Sequence, residues 1–382
     1  MVEFARSARS TLGVEWELAL VDARSMELVP RAPELLGLAA DVPGLSTKAV
    51  GEMLTNTVEL VTGVHDTVGG AMDDLRVAVG DLRGLGEKLG VKLLSAGTHP
   101  FSRWWQQQIT DKERYAELVN RTQWWGRNML IYGVHMHVGV DDVRKVMPIM
   151  NAMLAYIPHL QALSASSPFW DGSDTGYASN RAMMFQQLPT AGIPFQLEDW
   201  AGYEKYLDDM LTTGVIDVIN EVRWDMRPSP NNGTLEVRVC DGMSNLGEIG
   251  ALTALVQCLV DDMSGRLDAG ETLPTMPDWF HRENKWRTAR YGMDAIIIEN
   301  AEARERLVTE VLADEVERLR PTAERLGCVA ELEDVLRIAE AGAGYQRQRA
   351  VLESTGSLIE VARSLVEELE TDSPCEAFGS RD

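Results

Sequence analysis

Residues 12–22 read LGVEWELALVD. Successive side chains of an extended chain alternate, so Leu12, Val14, Trp16, Leu18 and Leu20 share one face while Gly13, Glu15 and Glu17 share the other. The pattern predicts a strand with one apolar side and one side that carries carboxylates. Two further stretches repeat it. In YGVHMHVGV (132–140) His135 and His137 point the same way, and in TLEVRVCDG (234–242) so do Glu236 and Arg238. Three strands of this kind predict a sheet with one oily face and one reactive face.

Outward from these strands, residues 57–61 in GEMLTNTVEL read as another strand, and Glu52 and Glu59 can join the reactive face. MELVP, from Met26, reads as a short hairpin partner of the first strand. Helical periodicity runs from Thr67 to Leu89 and stops at Gly90. VKLLSAGTHP then reads as a strand entering a loop, followed by a helix from Asp111 to about Glu117. Asp141 and Asp142 cap a helix expected over 143–163. Ser164 to Pro194 reads as ordered loops with one short helix, and another helix is expected over 246–267. From Ala295 onward the text predicts helices with Glu and Arg at i, i+4 spacing. Strands separated by long loops and helices, without βαβ spacing, predict an α+β fold with a mainly antiparallel sheet. No repeat or linker divides the chain, so residues 1–382 are expected to form one domain, with 371–382 a flexible tail.

The 382 residues include 59 Asp and Glu against 36 Lys and Arg, a formal net charge of −23. Such a chain lacks the basic surface that nucleic acid or an anionic membrane requires, so neither is an expected partner. The apolar run over 147–163 is broken by Pro148, Asn151, Pro158 and His159 and reads as a buried helix. Cys240, Cys258, Cys328 and Cys375 form no CxxC pair, and Met1 to Thr11 lacks an apolar signal core. A cytoplasmic location is the expectation. Assembly into a homo-oligomer stays open.

Carboxylates with a little imidazole suit Mg²⁺ or Mn²⁺. A single ExE on a strand is ordinarily a solvated edge and a lone ExR an ion pair; the three together argue for a site. Zinc is the other reading of HxH, but only His159 and His281 follow it, too few to complete such a site. No GxSxG elbow, P-loop or post-strand GxGxxG occurs. Anion binding falls to Arg181, Arg223, Arg227 and Arg238 in turn-rich text or on a strand. A second basic stretch, HRENKWRTARYG (281–292), holds Arg282, Lys285, Arg287 and Arg290; it reads either as an anion site or as a helix face paired to the acidic C-terminal helices.

Taken in order, TLGVEWELALVD, GEMLTNTVEL, AGTHPF, GVHMHVGVDD, LSASSPFWDGSDTGYASNR, WDMRPSPNNGTLEVRVCD and NKWRTARYGMDA resemble the carboxylate-amine ligase family, or glutamate–cysteine ligase type 2. The likeness covers roughly residues 10–355. It implies a glutamine-synthetase-like α+β fold whose curved, mainly antiparallel sheet forms a funnel flanked by helices. The implied chemistry joins L-glutamate to L-cysteine or another amine with ATP as co-substrate and Mg²⁺ or Mn²⁺ as cofactor, through a γ-glutamyl phosphate. Carried over by position, Glu15, Glu17, Glu52, Glu59, His135 and Glu236 resemble the metal ligands. Arg238 is expected on the transferred phosphate and Arg181 on the substrate, with His137, Arg227, Arg287 and Arg290 as further substrate-binding candidates. Trp16 stands where the family commonly has a third glutamate; on a strand it faces away from Glu15 and Glu17. The alternatives are the same chemistry with a different amine, a phosphotransferase that forms no amide, and a non-catalytic metal- or nucleotide-binding regulator.

Overall fold

The computed structural model describes residues 2–375. In chain order the elements are β1 (Leu12–Asp22), α1 (Ala32–Ala39), β2 (Ala49–Gly51), β3 (Thr57–Val61), α2 (Val68–Lys88), β4 (Val91–Leu94), α3 (Glu113–Thr122), α4 (Trp124–Arg127) and β5 (Val134–Gly139). There follow α5 (Val143–Met153), α6 (Ile157–Ser164), β6 (Phe169–Trp170), β7 (Ser173–Asp174), α7 (Asn180–Phe185), α8 (Trp200–Thr212), β8 (Met226–Ser229), β9 (Thr234–Val237) and α9 (Leu246–Asp268). The chain continues through α10 (Asp278–Tyr291), β10 (Ile296–Ile298), β11 (Glu305–Leu307), α11 (Val308–Leu326), α12 (Val329–Ala341), α13 (Gly344–Thr355) and α14 (Leu358–Thr371).

Seven strands form the main sheet in the order β2-β3-β1-β5-β9-β8, with β4 paired to the second half of β1. Every pairing is antiparallel, and the sheet is open. Its apolar face is the one expected: Leu12, Val14, Trp16, Leu18 and Leu20 are all buried. The helices α2, α5 and α9 pack together on the core side, and α9 is buried along most of its length. Trp16 sits in this layer, its indole N–H donating to Ser95 Oγ at 2.9 Å and Met243 O at 3.1 Å. Truncating it to alanine would cost on the order of 3–5 kcal/mol in lost transfer energy and cavity formation. The site therefore stands on a strand whose opposite face is fixed by packing.

Local chemistry sets the element ends. Thr67 caps α2 by accepting from Gly70 N, Asp142 caps α5 from Arg144 N, and Asn245 caps α9 from Glu248 N. Gly90, at φ +69°, ends the turn after α2, a conformation glycine adopts without steric cost. Among the described residues no helix is long and apolar enough to cross a membrane.

Four expectations are corrected. The helix over 143–163 is broken into α5, a 3₁₀ turn at Leu154–Tyr156 and α6. Pro158 explains the break, since it has no N–H for the carbonyl of Leu154. The helix expected from Asp111 begins at Glu113 and runs to Thr122, stopped by Gln123 at φ +50°. The chain after Ala295 first makes the β10–β11 hairpin and turns helical only at Val308. The regular strand at 234–242 ends at Val237: the register with β5 advances by one residue between Met136↔Val237 and Gly133↔Asp241. One extra residue opposite β5 is a β-bulge, which bends the strand just where Arg238 leaves it. Of the stretch expected to be a tail, Asp372 accepts from Leu246 N at 2.7 Å and Cys375 N donates to Glu368 at 3.1 Å. Residues 376–382 lie outside the described residues.

Candidate active site

Antiparallel register places the reactive residues directly opposite one another. Glu15 faces His135 across β1–β5, Glu17 faces Glu59 across β1–β3, and His137 faces Glu236 across β5–β9. Directly opposed side chains on one face are near neighbours. Donor atoms converge in three groups, Glu15 with Glu59 and His135, Glu15 with His137 and Glu236, and Glu17 with Glu52 and Glu59, each within a span of 4.8 Å. All six expected metal ligands and His137 are brought together here. Glu52 comes from just beyond β2.

The electrostatics separate two kinds of carboxyl. Burial opposes ionisation at Glu15, but hydrogen bonds from His135 at 2.9 Å and His137 at 3.2 Å hold its carboxyl far below the usual range. Burial likewise opposes ionisation at Glu236, and there Arg238 and Arg227 outweigh it and keep the carboxylate charged. Glu17 and Glu59 behave oppositely. Burial and the charge of Glu52 push Glu17 up to about 7. Burial, then Glu15, Glu52 and Glu17, push Glu59 well above its ordinary value. Burial, with Arg238 nearby, lowers His135 to about 4, so near neutral pH its contact with Glu15 is a hydrogen bond to an uncharged imidazole. Oxygen-rich groups crowded by mutual repulsion, with neutral imidazole at the side, fit hard divalent cations.

Two cavities lie along the same sheet face, one at each end of the cluster. The first, about 210 Å³, receives Glu17 from β1, His135 from β5 and Arg238 from just beyond β9. The second, about 220 Å³, receives Gly13 and Glu15 from β1, His137 from β5 and Thr234 from β9. Along β1 and β5 a step of two residues carries the face from one cavity to the other, and along β9 the step from Thr234 to Arg238 is four residues, with Glu236 between them.

The first cavity is the arginine-rich one, lined by Arg181, Arg223, Arg227 and Arg238. Arg181 reaches it from α7, and its N–H groups donate to the carbonyls of Arg238 and Val239 at 3.3 Å. Gly133 makes this reach feasible, because a Cβ there would collide with the Arg181 guanidinium. The Gly133 N–H donates to Glu17. The Nε donors of Arg181 and Arg238 are buried without a protein partner among the described residues. Buried donors of this kind are costly unless an acceptor arrives.

Arg287 and Arg290 lie elsewhere. Arg287 binds Glu283 at 2.9 Å, Glu305 at 2.5 Å and Ile296 O at 3.0 Å, fastening α10 to the β10–β11 hairpin. Arg290 donates to Gly176 O and stands over the rings of Tyr177 and Tyr291. Neither lines a cavity beside the cluster.

Sequence reasoning missed three residues. Thr234 bonds His137 Nδ1 at 2.9 Å and so fixes the ring that faces Glu15. Tyr115, on α3, lines the arginine-rich cavity; no strand alternation announced it. Asp241, expected near the end of the 234–242 strand, is fully buried and accepts from Ser166 N at 3.0 Å, Ser167 Oγ at 2.6 Å and Ser179 Oγ at 2.8 Å. Ser167 Oγ in turn accepts from Arg181 N at 3.0 Å. This network carries Arg181 to the site, and strand alternation gave Asp241 no such role.

Solved structures share this fold of an open antiparallel sheet flanked by helices. The glutamate–cysteine ligase of Francisella tularensis, in complex with AMP, matches with a TM-score of 0.68 at 14% identity, over 96% of this chain and 90% of that one. A bifunctional glutathione synthetase from Pasteurella multocida gives a TM-score of 0.69 at 15% identity, over 97% of this chain and 53% of that one. The chain belongs to glutamate–cysteine ligase family 2, whose sequence profile matches residues 11–368. A relative from Paenarthrobacter aurescens, provisionally named glutamate–cysteine ligase 2-2, is 56% identical over 96% of this chain and 98% of its own length. One from Mycobacterium ulcerans, provisionally named glutamate–cysteine ligase 2, is also 56% identical, over 97% of this chain and 93% of its own.

Proposed function

We propose that this protein is an ATP-dependent carboxylate-amine ligase that joins the γ-carboxyl of glutamate to the amine of cysteine, with ADP and phosphate as the other products. The observation that carries the reading is the row of three acidic donor groups flanked by the unpartnered Nε donors of Arg181 and Arg238.

A carboxylate is a poor acyl donor until one oxygen becomes a leaving group, which an acyl phosphate provides. Phosphoryl transfer needs attacking and leaving oxygens roughly in line, and catalysis consists largely of positioning and charge stabilisation. A cavity at each end of the cluster suits that need. In this reading glutamate occupies the arginine-rich cavity, with Arg181, Arg223 and Arg227 on its carboxylates. The nucleotide approaches from the cavity of Gly13, His137 and Thr234. Mg²⁺ or Mn²⁺ held by Glu15, Glu17, Glu52, Glu59, His135, His137 and Glu236 would offset the phosphate charge where the two meet. Arg238 stands at the junction, held by Glu236, with its free Nε available to the phosphoryl group as charge develops. The γ-carboxylate attacks phosphorus and ADP leaves; the amine then attacks the acyl carbon, loses a proton, and phosphate leaves.

The test is an amine panel with ATP, Mg²⁺ and glutamate, reading phosphate release and product mass. Phosphate release that depends on amine, with a product of the mass of glutamate plus amine minus water, is expected, cysteine being preferred. ADP release indifferent to amine would replace ligation with phosphotransfer. Amine-dependent turnover that ignores cysteine would keep the chemistry and change the acceptor.

A further inference from the structure

The basic stretch 281–292 divides in the structure. Arg287 and Arg290 are tied down as described, whereas Arg282 and Lys285 line a separate cavity of about 540 Å³ between the segment after α7, α8 and α10. None of its lining residues borders either cavity beside the acidic cluster.

Three observations define its chemistry. The wall is aromatic: Tyr206 and Trp224 have ring centroids 4.9 Å apart at 33°, and Phe195 meets Trp224 edge-on at 6.3 Å. Phe195 is 48% exposed at this wall, a large ring left half-open to solvent. The cations are incompletely used. Among the described residues Arg282 makes no hydrogen bond or ion pair, and Lys285, 4% exposed, has Asp225 at 2.6 Å as its acceptor. An ammonium carries three donors, so two remain. No acidic residue lines the cavity, in a chain whose formal net charge is −23. A cavity of this size lies within the range of small-molecule sites. An aromatic wall beside the unpaired guanidinium of Arg282 and the spare donors of Lys285 suits a ring that bears negative charge.

We propose that this cavity binds a small aromatic anion, its ring against Phe195, Tyr206 and Trp224 and its carboxylate or phosphate on Arg282 and Lys285. The site is independent of the reaction proposed for the acidic cluster.

Titration calorimetry on the full chain with Mg²⁺ tests it, using benzoate and phenyl phosphate as probes. One-to-one binding by at least one probe is expected, with inorganic phosphate (no ring) and phenol (no charge) weaker by about tenfold or more. The tighter probe identifies the head group. Arg282→Glu and Phe195→Ser, each checked for native circular dichroism, should both weaken binding by about tenfold or more. Arg238→Lys should leave it unchanged. Absence of binding by both probes at about 10 mM would overturn the proposal. So would binding that survives Arg282→Glu and Phe195→Ser but is lost in Arg238→Lys, which would place the anion at the acidic cluster.

Discussion

Arg347 lies buried between Glu248 and Glu368, while the carboxyls of Glu15, Glu17, Glu52, Glu59 and Glu236 crowd one another on the sheet. In the first cluster the guanidinium makes four hydrogen bonds of 2.7–3.0 Å to the two carboxylates, and a fifth to Gly342 O at 2.6 Å. It joins α9, α13 and α14, one cation fully bonded between two carboxylates. In the second, Glu236 and Glu15 have partners within the chain, but burial and like charge raise Glu17 and Glu59. Both clusters are buried and ionic. One is closed by its own residues and holds helices together; the other is left open in a way that a cation can complete.

The comparison breaks most readily at Glu15, which belongs to two of the three donor groups. Glu15→Gln keeps the hydrogen-bonding shape towards the histidines. It should lower turnover by about a thousandfold or more while the melting temperature holds. Steady-state assay beside a thermal melt checks it, and near-normal turnover would remove Glu15 from the site. Next is Arg347→Ala, expected to cost about 3–5 kcal/mol of stability because it leaves the buried carboxylates of Glu248 and Glu368 without their cation. Urea unfolding reads this, and turnover per folded molecule should be unchanged. Arg238→Lys should reduce turnover by about 10–100-fold, since a point charge replaces a planar fork; a smaller loss would make Arg238 only a tether for Glu236. The smallest effect sharpens the contrast. Glu59→Gln, melted without metal, should raise the melting temperature by about 2–4 °C per kcal/mol of repulsion relieved. A drop would mean that the open cluster is held as tightly as the closed one.

The alternation in 12–22, 132–140 and 234–237 was visible because period two is a local property and both faces advertise their chemistry. The convergence of Glu15, His135 and Glu236 followed from strand parity and the family resemblance. What could not be read was set by distant contacts. Asp241 holds the loop of Arg181 through serines 62–75 residues away, and no window of sequence contains both. Tyr115 reaches its cavity from a helix whose face carries no functional pattern. The bulge after Val237 exists only relative to β5, so 234–242 alone looks like an unbroken strand.

The parity of the sheet also bears on how this chain can vary over generations. Substituting a side chain on β5 alters one position, but inserting or deleting one residue ahead of His135 would turn both imidazoles into the helix layer and bring Val134 or Met136 to the reactive face. Loss of function would then come from a change of frame, with every functional residue still present. The bulge between Val237 and Asp241 admits an extra residue at the end of the ladder, beyond Glu236, where the alternation of the donor groups is already complete. Lineages of this protein should therefore gather length changes in the loops and at that bulge, and almost none within β1 or β5.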